Sequence, residues 1–169
     1  KGVTSGYLPL GGVLVSDRVA GTIIEEGGEF AHGFTYSGHP AACAVALKNI
    51  ELIKKENILD SVKHSIAPYL RDKWLSLGDH PIVGEARIKG LMGAIELTND
   101  KVKRSRFPSD FNTGSLCRDI SIKNGLVMRA VGDSMIIAPP LIINHEEIDE
   151  LVDKARTTLD ETQEAVQKL

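Results

Sequence analysis

Cysteine is scarce in this sequence. Cys43 and Cys117 are the only two among 169 residues, and they lie far apart, without a C-x-x-C spacing or a cluster of histidines. Neither a disulfide framework nor a zinc site is expected, and the composition predicts a protein of the reducing cytoplasm. Cys43 lies in an alanine-rich segment and is interpreted as a small core residue.

Long apolar runs and an excess of one charge are also missing. No apolar stretch reaches the roughly 20 residues that span a bilayer, so neither a membrane span nor a signal peptide is expected. Lys and Arg number 20 against 23 Asp and Glu, which gives a net charge of -3. This near balance offers no electrostatic reason to expect a nucleic acid or an anionic membrane as a partner.

The remaining composition is that of a folded, globular chain. Hydrophobic residues make up 42% and charged residues 25% of the sequence, which argues against disorder. The length suits one compact domain or pieces of two. The chain begins with Lys1 and not with Met, and we therefore expect it to be the later part of a longer protein.

Hydrophobic spacing predicts helices in two regions that meet near Asn57. Helices are predicted at residues 19–26, from residue 40, over residues 58–74 with a kink or division at Pro68, over residues 114–123, and after Asn144. Pro40 is typical of a first helical turn, and the alanines after it imply burial on several sides. Asn144 is a good N-cap, and the helix it starts is expected to pack on a small sheet.

Strands are expected in both regions. Residues 13–15 have the pattern of a short buried strand, although three residues do not distinguish a strand from a helix. Further strands are predicted at residues 91–97, 126–129 and 135–138, the last two forming a hairpin about Gly132-Asp133. The two regions together predict an α/β chain.

The first candidate site is Lys1. Two glycines, two hydroxyl side chains and the segment Tyr7–Gly12 follow it, and such tight backbone can hold an amine out of water. Desolvation favours the neutral amine, which is a nucleophile toward a carbonyl group. The residues alone equally allow an ordinary, solvated surface lysine.

The second candidate site is the segment Gly33–Pro40, which combines hydroxyl, aromatic and glycine residues directly before a predicted helix. Hydroxyls and free backbone N–H groups beside a helix N-terminus can hold a phosphate. Alternatively, Thr35 or Ser37 caps that helix. His39 is interpreted as a structural residue, because no carboxylate or cysteine partner is close to it in sequence.

The third candidate is Arg129, which interrupts the apolar run LVMRA. An arginine in such a strand either lies on the solvent face or presents a buried guanidinium fork to a carboxylate. The spacing alone leaves both interpretations open.

These segments closely resemble the class III, fold-type I pyridoxal-phosphate aminotransferases, in particular the branch that acts on ω-amines, putrescine or other diamines with pyruvate. The matching motifs, in family order across nearly the whole chain, are KGVTSGYLPLGG (1–12), GEFAHGFTYSGHPAACAVA (28–46), PIVGEAR (81–87), LCRDISIKNGLVMRAVGD (116–133) and IIAPPLII (136–143). The resemblance implies that residues 1–57 are the C-terminal part of the large cofactor domain. Residues 58–169 are then the small, α+β C-terminal domain.

The resemblance also implies roles for four residues. Lys1 matches the lysine that forms a Schiff base with pyridoxal 5′-phosphate and later moves a proton. Thr35 matches the threonine that hydrogen-bonds the phosphate of the neighbouring subunit's cofactor, and Phe34 lies beside it at the edge of the site. Arg129 matches the arginine that binds the carboxylate of pyruvate or an amino acid and swings aside for an amine that lacks one. No metal ligand is implied.

The partners implied are an amine donor, a pyruvate-like keto acid and a second copy of the chain, in a homodimer or a tetramer with shared active sites. Relatives that act on acetylornithine, 4-aminobutyrate or β-alanine are an alternative, and a non-catalytic binding module that keeps the fold is another. The other cofactor-binding residues are expected upstream of Lys1, so the fragment alone is expected to be inactive. Ile88 stands where the family usually has glycine, and the local geometry should differ if that position needs a positive φ.

Overall fold

The chain divides into two compact units, Lys1–Asn57 and Ile58–Leu169. The structure is a computed structural model, and it describes residues 2–168. Asn57, at the division, has a left-handed backbone with φ of 53°. Asparagine adopts this region more readily than most residues, so the helix before it ends and a new helix begins at Ile58.

The first unit contains two α-helices and little other regular structure. A 3₁₀ turn, Gly2–Thr4, comes first, followed by α1 (Asp17–Glu25) and α2 (Pro40–Lys55). Both predicted helices are thereby confirmed. The α1 helix ends before Gly27, where a Cβ atom would lie only 2.7 Å from the carbonyl oxygen of Ile23, so the chain can turn this closely only at glycine.

The prediction for residues 13–15 is wrong. Val13, Leu14 and Val15 have irregular backbone and exposed side chains. A strand is stabilised by the ladder of hydrogen bonds to a neighbouring strand, and no segment of the described residues pairs with this one. An apolar run without such a partner does not form a strand.

The α2 helix is much less buried than its alanines suggest. Pro40 occupies its first turn, as predicted, but only Ala42 and Ala46 are buried along its length. Leu47, on the same helix, is 69% exposed. The expected burial on several sides is therefore wrong for this unit taken by itself.

The second unit opens with a divided helix. It comprises α3 (Ile58–Ser61), a π-helical turn (Val62–Ile66) and α4 (Ala67–Leu75). Pro68 has no backbone N–H and cannot donate to the preceding turn, so the hydrogen-bond pattern widens before it and a new α-helix starts around it. The predicted division at Pro68 is confirmed.

Four antiparallel strands form the sheet of the second unit, in the order β1-β2-β4-β3. They are β1 (Val83–Lys89), β2 (Met92–Leu97), β3 (Arg129–Val131) and β4 (Ser134–Ile137). The predicted β2 and the hairpin of β3 and β4 are confirmed, although the first hairpin strand begins three residues later than predicted. This shift leaves residues 126–128 outside the sheet.

The β1 strand is not predicted by the sequence pattern. Its pairing with β2 shifts between Val83 and Glu85, where a β-bulge interrupts the register. The bulge breaks the alternation of inward and outward residues that identifies a strand in a sequence. Ile88 lies in this strand opposite Gly93, and the left-handed residue of the following turn is Gly90, with φ of 59°. The β-branched Ile88 is thus accommodated without strain.

The core of the second unit lies between the sheet and three helices. After α5 (Thr113–Lys123), the long α6 (His145–Val166) begins at Asn144 in a capping box with Glu147, and α6 packs against α4 and α5. Trp74 is fully buried, and its indole N–H donates to the carbonyl oxygen of Ala94. Among the described residues, no helix combines the length and apolar character that a membrane crossing requires.

Candidate active site

The backbone that follows Lys1 is anchored within the first unit. The Asn49 side-chain amide, on α2, donates to the carbonyl oxygens of Gly2 at 3.0 Å and Val3 at 3.1 Å. The buried Thr4 hydroxyl donates to the carbonyl oxygen of Leu8 at 2.6 Å. Lys1 itself lies outside the described residues, so its role stays a prediction from the sequence.

Residues 34–37 form a tight turn ahead of α2. The Ser37 hydroxyl accepts from the Phe34 N–H at 3.0 Å, and the Ser37 N–H donates to the Phe34 carbonyl oxygen at 2.9 Å. Ser37 therefore closes the turn and does not cap the helix. The cap is His39, whose Nδ1 atom accepts from the Ala42 N–H at 3.5 Å. The structural interpretation of His39 is confirmed in this sense.

Thr35 lies at the exposed tip of this turn. Within residues 2–168 no hydrogen bond occupies its hydroxyl group, whereas the Ser37 hydroxyl is engaged by the turn. A free hydroxyl close to the N-terminus of α2 is a donor of the kind that binds phosphate. The residues present therefore fit the phosphate group of the cofactor that the family resemblance implies.

An aromatic row leads into the same turn. The rings of Phe30 and His32 are 5.9 Å apart edge to face, and those of His32 and Phe34 are 5.5 Å apart in the same geometry. Phe34 ends the row and is 77% exposed. This row is not among the sequence predictions, although the spacing of two residues is a usable signal for it, since alternate residues of an extended segment share one side.

Arg129 is the first residue of β3, at the edge of the sheet in the second unit. It pairs with Ile136 and is exposed, so the structure favours the solvent-face interpretation for this unit taken alone. The arginine ion pairs among the described residues involve Arg87 and Arg118. The guanidinium of Arg129 is therefore unpaired there and can accept a ligand carboxylate.

The structure brings Phe34 and Thr35 together in the first unit, and it carries Arg129 on the second. Residues 1–159 match the family model for class-III aminotransferases. The chain belongs to this family, whose members depend on pyridoxal phosphate and share fold type I, and the predicted fold class is thereby confirmed.

Two individual members of the family are similar to this chain over almost its whole length. A putrescine–pyruvate aminotransferase of Pseudomonas aeruginosa is 54% identical over 166 residues, which cover 98% of this chain and 36% of the relative. A chloroplastic gamma aminobutyrate transaminase 3 of Solanum lycopersicum is 39% identical over 172 residues, covering all of this chain and 33% of the relative. The chain thus spans about a third of the length of these curated relatives.

A solved structure supports the same assignment. The crystal structure of a thermostable (S)-enantioselective omega-transaminase from Thermomicrobium roseum superposes with a TM-score of 0.90 at 40% sequence identity. The match covers 96% of this chain and 36% of that one. The agreement in sequence and in structure extends over both units of the chain.

Proposed function

We propose that the complete protein transfers an amino group from a terminal amine, such as putrescine, another diamine or an ω-amino acid, to pyruvate. The observation that carries this proposal is the 54% identity to a putrescine–pyruvate aminotransferase over 98% of the chain. Putrescine has no carboxylate, whereas pyruvate has one. An enzyme that uses both needs a group that binds a carboxylate when it is present and does not depend on it otherwise.

Arg129 is suited to that requirement. Its guanidinium is exposed on an edge strand and is unpaired among the described residues, so it is available to form a bidentate pair with the pyruvate carboxylate. Its long side chain has the freedom to move away when an amine without a carboxylate binds. One mobile cation thereby serves a keto acid and leaves the site open to a diamine.

Lys1, Phe34 and Thr35 are proposed to hold the cofactor. Pyridoxal 5′-phosphate, when bound, supplies a reactive aldehyde and an electron-withdrawing ring. The amine of Lys1 would hold the cofactor through its aldehyde, with loss of water, and, once the substrate amine has displaced it, would carry a proton to or from the substrate carbon that bears the nitrogen. The Thr35 hydroxyl binds phosphate oxygens, and Phe34 borders the site. These two residues act on the cofactor of a neighbouring subunit, so the proposal includes a homodimer, in the cytoplasm.

The Lys1 assignment is tested by borohydride reduction of the complete protein, followed by mass spectrometry. A phosphopyridoxyl adduct on the peptide that contains Lys1 is expected, and it should vanish in a Lys1→Ala variant. Lys63→Ala, which removes an exposed lysine of the second unit, should leave the adduct in place. A native protein without any adduct would favour the non-catalytic module.

The substrate assignment is tested with a panel of donors and pyruvate as the acceptor. Putrescine and related terminal amines should give the highest kcat/KM. A strong preference for 4-aminobutyrate over putrescine would favour the alternative function, a 4-aminobutyrate aminotransferase. The 39% identity to a gamma aminobutyrate transaminase supports this alternative. A strong preference for an α-amino acid would contradict both.

A further inference from the structure

Asp133 joins the hairpin that carries Arg129 to a neighbouring helix. Its carboxylate oxygen Oδ1 accepts from the Gly114 N–H, in the first turn of α5, at 3.1 Å. Asn112, at the cap position, makes no side-chain bond to the helix, and within residues 2–168 no other side chain caps this end of α5. A carboxylate at a helix N-terminus is stabilised by the unpaired N–H groups and by the helix dipole.

The backbones of the hairpin and the helix touch at this point. A Cβ atom placed on Gly114 would lie 1.9 Å from the carbonyl oxygen of Gly132, a distance that no real side chain permits. Position 114 therefore has to be glycine for the turn to reach the helix. The Asp133 carboxylate therefore binds a helix that the backbone of the β3–β4 turn already touches.

Asp133 is also fixed from the sheet side. Its carbonyl oxygen accepts from the Leu97 N–H, at the end of β2, at 2.9 Å. One residue thus connects the β3–β4 turn to α5 through its side chain and to β2 through its backbone. These two bonds hold the turn at a defined place in the second unit.

Arg129 depends on this turn because its strand is short, is paired on one side only and otherwise contacts α5, the helix against which the turn is held. The β3 strand is three residues long and lies at the edge of the sheet, so it has one neighbouring strand, β4. Arg129 pairs with Ile136 at the end of β3 that is farther from the turn. A displacement of the turn would therefore be transmitted along a short, one-sided ladder to Arg129.

We propose that Asp133 is a positioning residue for Arg129: by holding the β3–β4 turn against the N-terminus of α5, it sets where the arginine meets the carboxylate of the keto acid. This inference rests on the proposed role of Arg129. Asp133 does not itself touch the substrate. Its loss should weaken binding of pyruvate and leave binding of an amine without a carboxylate almost unchanged.

The test compares KM for pyruvate with KM for putrescine in the complete protein. Asp133→Ala should raise KM for pyruvate about tenfold, since a small displacement of a binding group is costly, and should change KM for putrescine less than about twofold. Asp133→Asn keeps an acceptor oxygen and should restore the pyruvate value to within about threefold. Asp153→Ala, which removes an exposed carboxylate of α6, is the matched control and should change neither value.

Arg129→Ala separates this inference from the proposed function. It should raise KM for pyruvate about a hundredfold by removing two charge-assisted hydrogen bonds. In the Arg129→Ala background, adding Asp133→Ala should have no further effect on KM for pyruvate, because Asp133 acts through the arginine. A merely structural role of Asp133 would instead lower kcat, or raise KM for both substrates, to the same extent in both backgrounds.

The outcomes are distinct. If Arg129→Ala leaves KM for pyruvate unchanged, the proposed role of Arg129 and this inference both fail. If Arg129→Ala raises it but Asp133→Ala does not, or raises KM for both substrates equally, only the positioning role of Asp133 is overturned. Should Asp133→Ala not fold, Asp133→Glu replaces it under the same criteria, because it keeps the carboxylate but carries it on a side chain one methylene group longer.

Discussion

The two units of the chain differ sharply in how much they bury. Within residues 2–57 only Thr4, Ala42 and Ala46 are buried, whereas the second unit contains a continuous apolar core that includes Trp74 and Leu159. Both units nevertheless form helices at the places that local sequence patterns predict. The comparison teaches that local signals decide where a helix begins and ends, but that they do not supply a core.

The difference has a thermodynamic consequence. Ordering a chain costs conformational entropy at every residue, and burial of apolar surface is the main term that offsets it. The second unit has this burial, and the first unit has almost none of its own. The first unit is therefore expected to depend on contacts outside itself, and its exposed side chains, such as Leu14 and Phe34, offer the apolar surface for them.

Producing the two units separately tests most directly whether the difference in burial decides their stability. Residues 58–169, produced alone, should fold cooperatively, because the core of this unit is contained within it. Residues 1–57, produced alone, should show no cooperative transition, because short helices without packing are marginal in water. Urea unfolding followed by circular dichroism measures both. A cooperative transition of the 1–57 segment would show that buried area does not govern its stability.

The two cysteines, one in each unit, provide a second test of the difference in burial. Cys117 is buried, and this burial raises the pKa of its thiol to about 11, so the thiol stays in its unreactive protonated form at pH 8. Cys43 is half-buried on α2. A thiol reagent should modify Cys43 first, and Cys117 only as the second unit opens.

Mass spectrometry of the intact chain over time distinguishes the two thiols, with Cys43→Ser and Cys117→Ser as controls. Urea should accelerate the modification of Cys117 far more than that of Cys43. Equal rates for both thiols in the absence of urea would contradict the description of the second unit as a closed core.

Sequence patterns located most of the helices because helix signals are local. Pro40, Pro68 and Asn144 each act within one or two turns, and the structure places a helix boundary at each. The β1 strand escaped detection because a bulge near Gly84 breaks its alternation. The apolar run at residues 13–15 resembles a strand only in its hydrophobicity, which does not reveal whether a partner strand exists.

The candidate site was predictable in part for the same reason. Thr35 and Arg129 stand out from the sequence as a hydroxyl before a helix and a cation in an apolar run. The bond between Asp133 and Gly114 joins residues 19 positions apart, and no local pattern contains it. Its existence depends on how α5 packs against the hairpin, which only the folded structure determines.

A matched pair of leucines sharpens the comparison at the level of single side chains. Leu159→Ala removes a fully buried side chain on α6 and should reduce the free energy of unfolding by about 2–5 kcal/mol. Leu47→Ala removes a side chain that is 69% exposed on α2 and should change it by less than about 0.5 kcal/mol. Both substitutions lie within helices, so the difference between their effects on the free energy of unfolding measures the contribution of burial. Urea unfolding of residues 1–169 gives both values, and similar losses would mean that α2 belongs to the cooperative core.

The helix caps provide the smallest contrast. Asn144 and Glu147 form two reciprocal bonds of 2.9 Å at the start of α6, so Asn144→Ala should cost about 1 kcal/mol. His39 caps α2 through one long bond of 3.5 Å on an exposed ring, so His39→Ala should cost less than about 0.5 kcal/mol. Asn144→Asp keeps the acceptor and should retain most of the stability. Urea unfolding of residues 1–169 measures the first effect, and the helical circular dichroism of residues 1–57, whose α-helices are α1 and α2, measures the second. If His39→Ala proved the more costly change, the ring of His39 would be supporting the turn at residues 34–37 as well as the helix, and the first unit would be more cooperative than its burial implies.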